Sequence, residues 1–186
     1  MQKFHTVCAC LLLLTGIALA QAAKPEPKTV SQVLNGSVTN VENELVPAAD
    51  AMPEDKYSFA PTTGEFKGVR TFAQQVKHVA AVNYILAAAI LEEKSPVDTG
   101  GENGPDSVTS KTDIIKYLKD SFVYLHKATL SINEKNLIAP IKNPFGEGTA
   151  TRLALAPGAV GHCFDHYGQM VEYLRLNGIV PPASRS

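Results

Sequence analysis

No block of basic residues occurs in the 186-residue chain, whose formal net charge is -1. Nucleic acid and anionic membrane surfaces are bound largely through clustered Lys and Arg, so neither is expected as a partner. Strand-like alternation of useful length is also missing. HExxH and CxxCH are absent, which speaks against zincin proteases and covalent haem. No Glu precedes any histidine by three residues, so the Glu-x-x-His pair of ferritin-like di-iron bundles is missing as well. There is no Gly-rich phosphate loop and no G-x-S-x-G elbow. Cysteine is scarce, with three in all, of which Cys8 and Cys10 stand in the first ten residues.

Those first residues have their own logic. MQKFHTV carries Lys3, ACLLLLTGIALA is apolar, and Ala18-Leu19-Ala20 offers small residues at cleavage-site spacing. This is the pattern of a secretory signal peptide over residues 1–20. The other reading is an N-terminal membrane anchor, but the apolar run is shorter than the roughly 18–20 residues that span a bilayer. Cleavage after about Ala20 predicts an exported protein, periplasmic or secreted, without a stable membrane anchor. It would remove His5, Cys8 and Cys10 and leave Cys163 as the only thiol, so an intramolecular disulfide is excluded. Stability must then come from the core, and 45% hydrophobic against 19% charged residues is enough to build one.

Residues 21–29 read as an extended tether and 183–186 as a polar tail. Between them the apolar spacing predicts four helices: Val30 to Ala51, about Thr71 to Glu93, from the Ser110–Asp113 capping pattern to about Leu130, and about Thr149 to Leu176. Asn177-Gly178 supplies a left-handed cap to the last, and Pro181-Pro182 forbids continuation. From Val79 to Leu91 the only strongly polar side chain is Asn83, so the second helix is surrounded by the others. Four sticky helices make an all-α, four-helix bundle the economical packing, with residues 30–182 as its one domain. The connections are long for a bundle, and their order around it stays open.

His162 and His166 stand four apart in the last helix, where Cβ atoms lie about 5–6 Å apart on one face. Val160, Phe164, Tyr167, Val171 and Leu174 define the expected core stripe, which puts the pair on its flank, facing another helix. Such a pair also arises by chance, and a metal site wants at least three protein ligands. His78 sits near the start of the buried second helix, so it must be hydrogen-bonded or used. Three neutral imidazoles with an open position are the ligand set of a catalytic first-row metal site. His126 is expected to be partly exposed and structural, and Cys163 to be a small buried hydrophobe. No acid or base can be nominated, since Asp165 points away and Asn83 does not titrate.

ADAMPEDKYSFAPTTGEFKGVRTFAQQVKHVA, KTDIIKYLKDSF and HCFDHYGQMVEYLRLNGIVPP together resemble the DinB/YfiT-like superfamily of four-helix-bundle metalloproteins. The resemblance covers about Val30 to Pro182. It implies that His78, His162 and His166 hold a divalent ion such as Zn²⁺, Ni²⁺ or Fe²⁺ at an open site, and often a dimer. It also implies activities such as thiol transfer, but an exported chain would lack the cytosolic thiol pool. The expectation is therefore an exported metal-dependent hydrolase or transferase acting on a small molecule. The alternative is a non-catalytic bundle binding metal or a ligand.

Overall fold

Each of the four helices begins on a hydroxyl side chain. In the computed structural model, which describes residues 26–185, Thr29, Thr71, Ser110 and Thr151 accept from the backbone N–H of Gln32, Gln74, Asp113 and Ala154. Each bond satisfies one of the amides that a helix start leaves without a partner, worth about 1 kcal/mol. Gln32 and Gln74 return the bond to Thr29 and Thr71, completing two capping boxes. The helices are α1 (Val30–Ala51), α2 (Phe72–Leu91), α3 (Lys111–Leu130) and α4 (Arg152–Leu176). The expected signal peptide and most of the tether lie outside the described residues.

Among the described residues, four α-helices around one core bear out the all-α bundle. Phe72, Phe122, Leu45, Met52, Ile90, Leu118, Leu125 and Leu174 are fully buried there. Each such side chain is worth roughly 1.5–3 kcal/mol in area removed from water. At the C-terminus, Gly178 takes φ +74° and Ile179 N–H donates to Leu174 O, the left-handed cap expected from Asn177-Gly178.

The connectivity now follows from the packing. Around the bundle the order is α1, α3, α2, α4, so α1 and α2 are diagonal and so are α3 and α4. Asn83 meets Ser121 and Glu93 meets Tyr124 and Lys127, so α2 and α3 run parallel. Gln75 meets Gln169 and Arg152 meets Ile90 O, so α4 runs antiparallel to α2. Asn35 meets His126 and Lys111 meets Asp50, so α1 opposes α3. The directions are up, down, down, up. A parallel α2–α3 pair forces residues 92–110 to travel back along a helix about 30 Å long, and this explains that loop's length.

Three details differ from the sequence expectation. Residues 149–151 are a strand, β2 (Thr149–Thr151), paired antiparallel with β1 (Pro140–Lys142) with Ile141 opposite Ala150, so α4 starts at Arg152. Three-residue strands are too short to show alternation. The second helix ends at Leu91 because Glu92 adopts φ 55°. Arg152 holds that end: its Nε donates to Ile90 O at 2.8 Å and its guanidinium pairs with the Glu92 carboxylate.

The third difference concerns the face of α4. Phe164, expected in the core, is 44% exposed, and the buried line is Ala156, Ala159, Cys163, His166, Met170, Tyr173 and Leu174. Most of that line is of small or medium side chains; the bulkier Phe164 turns outward, while Val160 packs partly against the core. The shift moves His166 from the flank into the core line.

Candidate metal centre

His78 on α2 faces His162 and His166 on α4. The ring centroids of the three imidazoles lie 4.5 to 5.0 Å apart. One ligand nitrogen from each falls within 4.8 Å of the others, so the three could hold one ion. His78 Nε2 and His162 Nε2 stand 3.1 Å apart. Two imidazole nitrogens on one tetrahedral ion at about 2.0–2.1 Å would be separated by about 3.3 Å.

Hydrogen bonding fixes the tautomers. His78 Nδ1 faces the backbone carbonyl of Glu102, which can only accept, so Nδ1 carries the proton and Nε2 is bare. His166 is fixed by a longer chain. The Asp165 carboxylate accepts from Gln169 Nε2 at 3.0 Å, Gln169 Oε1 accepts from Gln75 Nε2 at 2.8 Å, and Gln75 Oε1 accepts from His166 Nδ1. Because Gln169 donates its amide to the Asp165 carboxylate oxygen, its Oε1 faces Gln75, whose own Oε1 then faces His166 Nδ1, and His166 Nε2 is bare. Partners of this kind orient metal-binding histidines.

His162 has no such support. Its Nδ1 is buried and has no hydrogen-bond partner among the described residues. If its Nε2 carries the proton, Nε2 donates to His78 but the Nδ1 lone pair is stranded. If Nδ1 carries the proton, that N–H is stranded and two bare Nε2 atoms face each other. Either arrangement leaves a buried polar group unmet, at about 1–3 kcal/mol. A cation among three bare Nε2 atoms removes the conflict between the lone pairs, and the donor set suits a divalent first-row ion.

All three imidazoles are held neutral at pH 7. Burial lowers His162 to about 3 and His166 to about 4, with neighbouring imidazoles and Arg70 adding to it. His78 is lowered by burial as well, partly offset by the Glu102 carbonyl. In the unfolded chain these groups titrate near 6.5, so between that value and the folded values the unfolded state binds more protons. Their contribution to stability is complete above pH 6.5 and falls as the pH drops. Urea unfolding of metal-free protein is expected to show a flat midpoint from pH 8 to 7 and a falling one from 6.5 to 5. A flat midpoint across that lower range would contradict the assignment.

A cavity of about 440 Å³ opens beside the imidazoles. One wall is the α2 stripe His78, Val82 and Leu86, and the facing α4 wall is Ala154, Gly158, His162 and His166. Phe145, in the loop joining β1 to β2, and Glu102 complete its rim. A larger cavity of about 580 Å³ lies against residues 59–69 and the end of α4. It includes no histidine, so chemistry is assigned to the smaller one.

The other sequence candidates fall outside the cluster. His126 is half-buried between α3 and α1, bonded to Asn35 at 2.7 Å and Glu42 at 2.8 Å, and so is structural as expected. Cys163 Sγ donates to Asn83 Oδ1 at 3.3 Å, and burial raises the thiol to about 12. Asp165 is exposed and away from the ring nitrogens, yet it anchors the chain that orients His166. Gln75, Gln169 and Glu102 were missed by sequence reasoning. The visible signal was spacing: Gln75 precedes His78 by three and Gln169 follows His166 by three, placing each on its histidine's face.

Known proteins share this chain's fold and family. None of the curated proteins matches the chain. A DinB-like protein from Bacillus subtilis has the same fold, with a TM-score of 0.63 at 18% identity, covering 83% of this chain and 99% of that one. A conserved protein from Enterococcus faecalis superposes with a TM-score of 0.64 at 16% identity, covering 81% and 98%. The sequence pattern of the DinB superfamily matches residues 38–170, a span that includes all three histidines. The chain belongs to the DinB superfamily.

Proposed function

We propose that the protein is an exported enzyme that binds one divalent metal ion through His78, His162 and His166 and acts on a small molecule, with hydrolysis favoured over group transfer. The observation that carries the reading is the convergence of these imidazoles, two with Nε2 bared by fixed partners and the third with its Nε2 3.1 Å from that of His78. A bound ion would supply Lewis acidity, polarising a substrate carbonyl and making a nucleophile available near neutral pH. The chain's residues do the rest. Val82, Leu86 and Leu155 keep the cavity apolar, which strengthens electrostatic interactions inside it. Among the described residues Glu102 is the one acidic residue lining the cavity, and its backbone carbonyl orients His78. Among the described residues no Ser, Thr, Cys or Lys lines the cavity, and the Cys163 thiol is spent on Asn83. The nucleophile therefore comes from outside the chain, and water is the one certain to be present beyond the cytoplasm.

The test is metal content. Protein purified from an extracytoplasmic fraction without chelators is expected to carry one divalent ion per chain and an N-terminus near Gln21. Metal-free protein that gains no stability on titration with Zn²⁺, Ni²⁺ or Fe²⁺ would overturn the metal assignment. An intact residue 1 on protein confined to the cytoplasm would overturn export.

A further inference from the structure

The cavity wall is chemically one-sided. His78, Val82 and Leu86 follow one another at four-residue steps on α2, and Ala154, Gly158, His162 and His166 do so on the antiparallel α4. The cleft thus runs from a polar end, where the imidazoles meet, to an apolar end beneath the hairpin. At that end Phe145 lines the cavity yet is 47% exposed. Its loop is pinned: Phe145 N–H donates to Asn143 Oδ1 at 3.1 Å, and Asn143 N–H donates to Gly148 O at 3.2 Å. The hairpin itself is fixed through Ile141, which is buried. Phe145 therefore stands on a hydrogen-bonded loop, half-exposed and lining the cleft.

Charge narrows the occupant. Among the described residues Glu102 is the one acidic residue lining the cavity, and no Lys or Arg lines it. Arg70 influences the imidazoles electrostatically but is not on the wall. A carboxylate or phosphate placed in the apolar half would give up part of its hydration without gaining a cation, a net cost. The volume of about 440 Å³ is that of a small-molecule site.

We propose that the cavity takes an uncharged substrate with an apolar, preferably aromatic, body and one polar group directed at the imidazoles, and that Phe145 is the specificity-determining wall over that body. This deepens the metal-centre reading and rests on it.

Three chelating probes test it on the zinc-loaded chain by calorimetry: acetohydroxamate, benzohydroxamate and 4-carboxybenzohydroxamate. Benzohydroxamate is expected to bind about tenfold or more tighter than acetohydroxamate, from burial of its ring. The 4-carboxy compound is expected to lose that gain. Phe145→Ala, a change at a half-exposed position, should cut the gain roughly three- to tenfold while leaving acetohydroxamate affinity unchanged. Equal binding of the two aromatic probes, or a gain untouched by Phe145→Ala, overturns the inference. A chain that takes up no zinc overturns the metal-centre reading, and this inference with it.

Discussion

Alanine at His162 is expected to abolish the rise in stability that a divalent ion confers on the wild-type chain, and to change the metal-free protein by no more than about 1 kcal/mol. Both halves follow from the same atoms. An ion that binds only the folded chain stabilises it by about 2.7 kcal/mol at a concentration one hundred times its Kd. With two imidazoles left, the set falls below the three that a catalytic site needs, and that increment disappears. In metal-free protein the substitution removes packing from a half-buried ring but also removes the stranded Nδ1, and the two effects oppose each other. Gln75→Leu separates orientation from ligation. It keeps all three ligands but deletes the acceptor for His166 Nδ1, so metal affinity should fall about 10- to 100-fold. Thermal unfolding with and without added zinc reads both variants, and ¹⁵N chemical shifts of the imidazoles report whether His166 has lost its single tautomer. Unchanged affinity in Gln75→Leu together with a retained tautomer would show that the amide chain does not orient the ligand.

What the sequence revealed, and what it hid, divides along a physical line. Helix existence was legible because it is a local property: α1 and α3 match their expected spans, Ser110 caps α3, and Gly178 ends α4. The histidine set was legible because a four-residue spacing fixes a face and because α2 is apolar around His78. The order of helices around the bundle was not, since the stripes of four sticky helices carry no partner label. Only specific pairs such as Asn83–Ser121 and Lys111–Asp50 distinguish neighbours from diagonals. The face of α4 was misread for a related reason. Periodicity weighs Phe164 above Ala159 by hydrophobicity, whereas the buried line of α4 includes Ala156, Ala159 and Cys163 and leaves Phe164 outside. Gln75 and Gln169 were hidden because a polar residue on a helix face is ordinarily a solvated one, and their role exists only across 94 residues of chain.

The least legible part of the site is the glycine-rich loop that reads in sequence as a mere interruption. Parallel α2 and α3 require a return crossing, and that crossing carries Glu102 past His78. The turn around it is tight: Gly100 has φ +55°, and a Cβ there would lie 2.3 Å from Gly104 O. Gly104 in turn donates its N–H to Thr99 O at 2.8 Å, and a Cβ on it would crowd Lys77. Gly101 has φ +64° but open space around it. The two neighbours therefore share a conformational cost and differ in the clash alone. Gly101→Ala is expected to destabilise by about 1 kcal/mol and to leave metal affinity unchanged. Gly100→Ala cannot keep the turn, because the obstacle is backbone rather than a mobile side chain. It should lose about 1–3 kcal/mol and, with the Glu102 carbonyl displaced from His78 Nδ1, about 10- to 100-fold in metal affinity. Urea unfolding and zinc titration of the pair measure the two effects separately. Equal zinc affinities in Gly100→Ala and Gly101→Ala would mean that the turn does not hold His78, and that its glycines serve the chain's path alone.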